Sequence, residues 1–214
     1  MKNHPKQSGF TILELMIATV VLSTILLLVT SMMVGIGRLF TKGFSQSRTQ
    51  NNARSITDDL AQRLQFNNSD VFAGSGMDAN TRYYCVGEFR YTYVTGVKIG
   101  DIVGTNPAQT HVLWRDKPTS CTRPGVGFMT SPNPGTGGIE LIAPNSRLTS
   151  FCINCGVAGP LASPYTIEVS TAFGDTDLIS SPSSYNARCI GGSGNEFCGT
   201  AALRTVVAQR YTKS

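Results

Sequence analysis

The chain has 214 residues, which is long enough for one domain with a hydrophobic core plus an appendage. Its formal net charge is +5, yet residues 67–214 hold 11 basic and 10 acidic side chains without a run of lysine or arginine. Domains that bind nucleic acid through its phosphates carry clustered basic side chains, so this charge pattern argues against a nucleic-acid partner.

The N-terminal residues 1–9, MKNHPKQSG, are polar and basic and show no helical or strand periodicity, which predicts a leader peptide. The next segment is apolar, and none of the 23 residues from 15 to 37 is charged. As a helix these residues would span roughly 35 Å, enough to cross a bilayer. The run does not end in a small-residue cleavage site of the A-x-A type. We therefore expect 10–37 to be retained as the transmembrane half of a long N-terminal helix.

The predicted helix continues through 38–66, where the sequence contains no proline. Ala53, Ile56, Leu60 and Leu64 follow one another at spacings of three, four and four, which places them on one helical face. This segment is the amphipathic half of the helix. Its apolar stripe predicts packing against a covering domain.

The remaining residues, 67–214, predict a β-rich globular head. Short runs of aromatic and β-branched residues alternate with Gly, Pro, Asn and Asp. The candidate strands are 83–94, 111–115, 138–143, 148–153, 165–173 and 203–211, and the predicted loops are 74–80, 123–138 and 180–195. The expected fold is α+β: a long N-terminal helix packed on an antiparallel β-sheet head domain with disulfides.

Glu14 is an acidic side chain inside the apolar segment. A charge in the middle of a membrane costs about 2.5 to 3.5 kcal/mol on insertion scales, so such a residue usually has a partner. If the mature chain began at Phe10, the new amino group would be mostly cationic, and that of a neighbouring subunit would suit the geometry best. The alternative is a Glu14 at the membrane interface that needs no partner.

The segment Gly9-Phe10-Thr11-Ile12-Leu13-Glu14-Leu15, with basic residues before it and an apolar helix after it, resembles the class III signal of type IV pilins and pseudopilins. The resemblance covers about residues 5–40. It implies that a prepilin peptidase cuts between Gly9 and Phe10 and methylates the Phe10 amine. It also implies that Glu14 guides the subunit from the bacterial inner membrane, through the assembly machinery there, into a filament of similar subunits.

Within this family the chain departs from many major pilins, because residues 10–66 lack proline. Its size, its six cysteines and the pattern of 148–153 and 165–169 followed by Gly174-Asp175 are similar to a minor pilin of the W type or a J-type minor pseudopilin. The implied filament is a type IV pilus, a type II secretion pseudopilus or a DNA-uptake filament, outside the cell or in the periplasm. The competing hypothesis is a single-pass membrane anchor whose β domain serves adhesion without assembly.

All six cysteines lie in the last two-thirds of the chain, which favours disulfides in an oxidising compartment. Fifteen connectivities are possible. The pairs we prefer join Cys85 to Cys121, Cys152 to Cys155 and Cys189 to Cys198.

The sequence also contains fragments of other motifs, and none has its full context. A zinc site at the Cys-x-x-Cys pair is disfavoured because there is no second such pair and only His111 lies outside the leader. The Gly191–Gly194 run lacks the Lys-Ser/Thr of a phosphate loop, and Gly174-Asp175-Thr176-Asp177 is interpreted as a turn rather than a calcium loop. We therefore predict no catalytic residue, no cofactor and no metal, as expected of a protein that is not an enzyme.

Overall fold

The computed structural model describes residues 9–66, 70–102, 104–105, 107–134 and 137–210. The predicted leader therefore lies outside the described residues except for Gly9. The chain divides into two units, Met1–Thr41 and Lys42–Ser214. The second unit begins within the helix, so the C-terminal part of the helix belongs to the same unit as the strands.

The long helix, α1, comprises Ile12–Phe66. It has 55 residues and is the one helix in the described part of the chain that is long and apolar enough to cross a membrane. Its best 18-residue window has a mean hydropathy of 2.6, and none of that window is buried. Hydroxyl side chains in this part donate back to the helix, as Ser23 Oγ does to the Thr19 carbonyl at 2.6 Å and Thr30 Oγ1 to the Leu26 carbonyl at 2.8 Å. These donors are thus satisfied without water, as an apolar environment requires.

In the second unit, the helix presents its predicted apolar stripe to the sheets. Ala53, Ile56, Leu60 and Leu64 are each at most 1% exposed. The buried face extends toward Lys42 through small polar residues, which are Ser45, Thr49 and Asn52. Thr49 Oγ1 donates to the Ser45 carbonyl at 2.7 Å, so this hydroxyl is buried with an acceptor. Near the start of the unit the helix is also tied to the second sheet, because Thr171 Oγ1 donates to the Thr49 carbonyl at 3.2 Å.

Eleven strands follow the helix in the part of the chain that the structure describes. In chain order they are β1 Val71–Ser75, β2 Arg82–Val86, β3 Phe89–Tyr93, β4 Leu113–Asp116, β5 Ile139–Glu140, β6 Ser146–Ile153, β7 Gly159–Leu161, β8 Tyr165–Phe173, β9 Ile179–Ser180, β10 Arg188–Cys189 and β11 Gly199–Val207. One antiparallel sheet has the order β5-β4-β3-β2-β1-β7, a second has the order β11-β8-β6, and β9 pairs with β10. The predicted α+β fold class is confirmed.

Several predicted boundaries were wrong. The run 83–94 is a hairpin, because Gly87 adopts a φ of 60° and lets the chain reverse between β2 and β3. Strand β1 extends into the predicted loop 74–80, and β9 and β10 both reach into the loop 180–195. The predicted strand 203–211 begins earlier, at Gly199, and ends at Val207; residue 211 lies outside the described residues.

The main core lies where the helix stripe meets both sheets. Tyr84, Tyr93 and Phe151 form an aromatic cluster in it, with the ring of Phe151 edge-on to both tyrosines at centroid distances of 5.8 and 4.9 Å. Side chains from helix, first sheet and second sheet are thus buried together. Each large apolar side chain buried in this way contributes about 1.5–3 kcal/mol.

Three disulfides staple the head: Cys85–Cys121, Cys152–Cys155 and Cys189–Cys198. They are the pairs preferred on sequence grounds. Their sequence separations are 36, 3 and 9 residues, respectively. By loop-closure entropy, these bonds would contribute about 4, 2 and 3 kcal/mol in the same order, so the Cys152–Cys155 bond has the smallest stabilising role.

Candidate functional site

The predicted processing site lies just before the helix. Gly9, Phe10 and Thr11 are exposed and non-helical, and Thr11 caps the helix that begins at Ile12. The Glu14 backbone N–H donates to Thr11 Oγ1 at 3.3 Å, which satisfies one of the free N–H groups at the helix start. The peptide bond between Gly9 and Phe10 is therefore outside the helix, where a peptidase can reach it without unwinding a turn.

Glu14 occupies the first turn of α1. It lies at the N-terminal end of a shallow apolar face of the helix, which is lined by Ile17, Ala18, Val21, Leu22 and Ile25. The carboxylate lies near the positive end of the helix dipole, which favours a negative charge there. Among the described residues of the first unit, the only basic side chain is Arg38, 24 residues further along, about 36 Å at 1.5 Å per residue. Glu14 therefore has no cation within reach in the described part of its own unit.

The described residues of the second unit contain a polar cluster between helix and sheet that the sequence analysis missed. Asp59 accepts hydrogen bonds from Tyr91 Oη at 2.8 Å, from Arg63 Nε at 3.2 Å and from Arg115 Nη1. The guanidinium groups of Arg63 and Arg115 lie 3.8 and 5.6 Å from the centre of the Phe89 ring. Burial raises the pKa of the Tyr91 phenol, and the nearby Asp59 charge raises it further, so this tyrosine remains a neutral donor.

A second set of contacts joins the helix to the start of β11 and to the residues just before it. Lys42 Nζ donates to the carbonyls of Asn195 and Cys198 at 3.0 and 2.8 Å and to Asn195 Oδ1 at 2.9 Å. Four residues later, Gln46 Nε2 donates to the Thr200 carbonyl at 2.8 Å. The ammonium group thus holds the end of the Cys189–Cys198 loop against the helix. Sequence alone did not indicate this role, because the acceptors are two backbone carbonyls and one amide side chain about 150 residues away.

The residues considered for metal or hydrolytic chemistry have other partners. Asp175 lies in the segment that the sequence analysis interpreted as a turn rather than a calcium loop. It accepts a hydrogen bond from Lys98 Nζ at 2.5 Å, and this hydrogen bond lowers the pKa of Asp175. His111 is buried, with Nδ1 3.4 Å from Glu140 Oε2 and its ring against Trp114 at a centroid distance of 4.2 Å. Neither arrangement contains a nucleophile beside a base.

Glu140 organises the start of the β4–β5 pairing. Its carboxylate accepts the backbone N–H groups of Val112, Leu113 and Ile142 at 3.0, 2.9 and 3.2 Å. Burial raises the pKa of Glu140 above its ordinary value, although these hydrogen bonds and His111 act in the opposite direction. A raised carboxyl pKa stabilises the fold fully at low pH, and this contribution is lost as the pH rises through the folded-state pKa.

We therefore expect Glu140→Gln to change the pH dependence of stability. The free energy of unfolding of the wild type minus that of the variant should be largest near pH 4 and should fall toward pH 7, measured by urea unfolding of the full chain in detergent. Glu88→Gln, on the exposed β2–β3 turn, controls for the loss of one surface carboxylate. A repeat on a His111→Gln background tests whether the pH dependence persists without the neighbouring imidazole. A difference that rises with pH would contradict the assigned direction.

One family description matches the chain, the prokaryotic N-terminal methylation motif, over residues 4–30. No curated protein and no solved structure matches. The matched range contains Gly9, Phe10 and Glu14 and most of the exposed apolar part of α1. The N-terminal segment therefore carries a type IV pilin-like prepilin signal.

Proposed function

We propose that this chain is a structural subunit of a pilus-type filament. In this proposal, prepilin peptidase removes the leader, residues 1–9, and Phe10 becomes the methylated first residue. Residues 10–37 lie in the inner membrane. The amphipathic half of the helix is 38–66, and the head is 67–214. The observation that carries the proposal is that the methylation motif lies at the start of a long helix whose most apolar 18-residue window is not buried at all. A helix with an unburied apolar surface requires lipid or other apolar helices around it.

The chemistry of assembly follows from Glu14. The charged carboxylate and the apolar face below it would receive the N-terminus and helix of a neighbouring subunit, so that the Phe10 amine pairs with Glu14. Methylation of that amine keeps its positive charge. The assembly machinery of the inner membrane then withdraws the paired helix from lipid into the core of a filament, which lies in the periplasm or outside the cell. The chain performs no reaction in this role.

Within this class we propose a minor subunit, either a minor pilin or a minor pseudopilin. The helix from Ile12 to Phe66 contains no proline, unlike the first helix of many major pilins, and the head carries three disulfides. These are the features by which the chain resembles minor subunits, and they support this proposal.

Mass spectrometry of the protein isolated from membranes tests processing. We expect a mature chain that begins at Phe10 and carries one methyl group on its amine. A matched variant, Gly9→Leu, should remain uncut, because a side chain at the cleavage position obstructs the peptidase. An intact Met1 in the wild-type protein would show instead that the helix is a permanent anchor for the β domain.

A further inference from the structure

The Cys152–Cys155 pair differs from the other two disulfides in its position. Cys85 and Cys198 are 6% and 0% exposed, so each of the other bonds has one sulfur inside the head. Cys155 is exposed and Cys152 half-buried, at the end of β6. With only two residues between the cysteines, this bond also closes the smallest loop. It is therefore the disulfide in which neither cysteine is buried, and its opening removes the least loop-closure stabilisation.

A carboxylate lies beside this pair. In the second sheet Cys152 is opposite Glu168 on β8, and Glu168 is opposite Arg204 on β11, so the three side chains form one row across the strands. Glu168 Oε2 is 3.8 Å from Cys152 Sγ, while Glu168 Oε1 forms an ion pair with Arg204, whose Nε lies 3.2 Å away. The arginine thus holds one carboxylate oxygen and directs the other toward the sulfur atoms.

The loop that carries the sulfur atoms is held by hydrogen bonds that do not involve the disulfide. The Asn154 backbone N–H donates to the Thr166 carbonyl at 2.8 Å, and the Thr166 N–H donates to Asn154 Oδ1 at 2.7 Å. Asn154 Nδ2 also donates to the Ala162 carbonyl at 3.0 Å. Because these hydrogen bonds hold the backbone around Asn154 in place, the two cysteines stay close together when they are thiols.

We propose that in its dithiol form this site binds a thiophilic divalent cation, such as Zn²⁺, through Cys152, Cys155 and Glu168. Cysteines are synthesised as thiols, so this form precedes the disulfide and needs no reductant. The two sulfur atoms and the nearest carboxylate oxygen lie within 4.8 Å of one another. Sulfur atoms bound to one tetrahedral Zn²⁺ are about 3.8 Å apart, which the open pair reaches by side-chain rotation.

The binding step balances in protons. The cation replaces the protons of the two thiols, and two protons are released to water, while the carboxylate of Glu168 supplies the third donor and leaves a fourth position for water. Two thiolates and one carboxylate suit soft or borderline divalent cations better than calcium or magnesium. Metal and disulfide are then alternative states of the same sulfur pair, so bound cation protects the thiols from oxidation.

Cd²⁺ titration of the full chain in detergent tests the site, because thiolate ligands give a charge-transfer band in the ultraviolet. A limiting amount of dithiol reductant first opens the exposed pair, and alkylation with peptide mass analysis identifies the free thiols. We expect the dithiol protein to bind one Cd²⁺ and to release two protons, Zn²⁺ to displace it, and the oxidised protein to bind none. No charge-transfer band in protein whose free thiols are Cys152 and Cys155 would overturn the proposal.

Variants separate the three donors. Cys155→Ser should abolish the charge-transfer band of a two-thiolate site, and Glu168→Gln should weaken binding at least about tenfold. Arg204→Met should weaken it about tenfold through loss of the carboxylate's orientation. Glu88→Gln, a surface carboxylate remote from the pair, is the matched control and should bind as the wild type does. Equal affinity in Glu168→Gln and wild type would remove the carboxylate from the site and refute it as proposed.

Discussion

Replacing Glu14 by alanine or lysine should leave the chain in the membrane but keep it out of filaments. Alanine removes a charge from the apolar segment and makes insertion more favourable, since a carboxylate costs up to about 2.5–3.5 kcal/mol in the membrane, whereas lysine leaves one charge there as in the wild type. Pairing with the amine of a neighbouring subunit is lost at the same time. Because each 1.4 kcal/mol changes an association constant tenfold, we expect incorporation to fall at least about tenfold for alanine and further for lysine, which would repel the amine.

Quantitative immunoblotting of sheared filaments and of the membrane fraction measures this effect. Glu14→Gln is the informative control, because it keeps the shape and the hydrogen-bonding side chain but removes the charge. A charge-based role predicts that Gln behaves nearly as Ala does. If Gln assembles like the wild type, a hydrogen bond at position 14 is sufficient and the ion pair is not required. Normal assembly of all three variants would refute any role for Glu14.

Replacing Asp59 by alanine should destabilise the head by about 2–4 kcal/mol. The substitution leaves the Tyr91 hydroxyl buried without its acceptor and places Arg63 and Arg115 side by side without their shared anion. The lower part of this range reflects the side-chain exposure of Asp59 and the two arginines, 22%, 25% and 17%, which lets water replace part of the lost interaction. This destabilisation exceeds what the loss of a surface ion pair would cause.

Thermal unfolding followed by near-ultraviolet circular dichroism measures this destabilisation in the full chain. For a unit of this size each kcal/mol lowers the midpoint by about 2–4 °C. Asp58→Ala is a matched control, since Asp58 is adjacent on the helix but exposed. We expect that variant to unfold within about 0.5 kcal/mol of the wild type. Equal midpoints for the two variants would mean that the cluster contributes no more than a surface pair.

The local pattern of apolar and polar residues was sufficient to predict the long helix and its buried face. The charge-free segment and the stripe of Ala53, Ile56, Leu60 and Leu64 were predictable because helical periodicity is a property of neighbouring residues. The hairpin at 83–94 was mistaken for one strand because Gly87 and Glu88 interrupt the apolar run only briefly. Gly87 has a positive φ, which a pattern of hydrophobicity does not report.

The sequence by itself determined the prepilin signal, the apolar helix and the division into helix and β-rich head. All of these depend on residues that are close together in the chain. Only the tertiary structure decided that Asp59 anchors two arginines and a tyrosine, that Lys42 holds backbone carbonyls near Cys198, and that Glu168 faces Cys152. Such pairs form when strand register and helix packing bring distant residues together, and no local periodicity specifies that register.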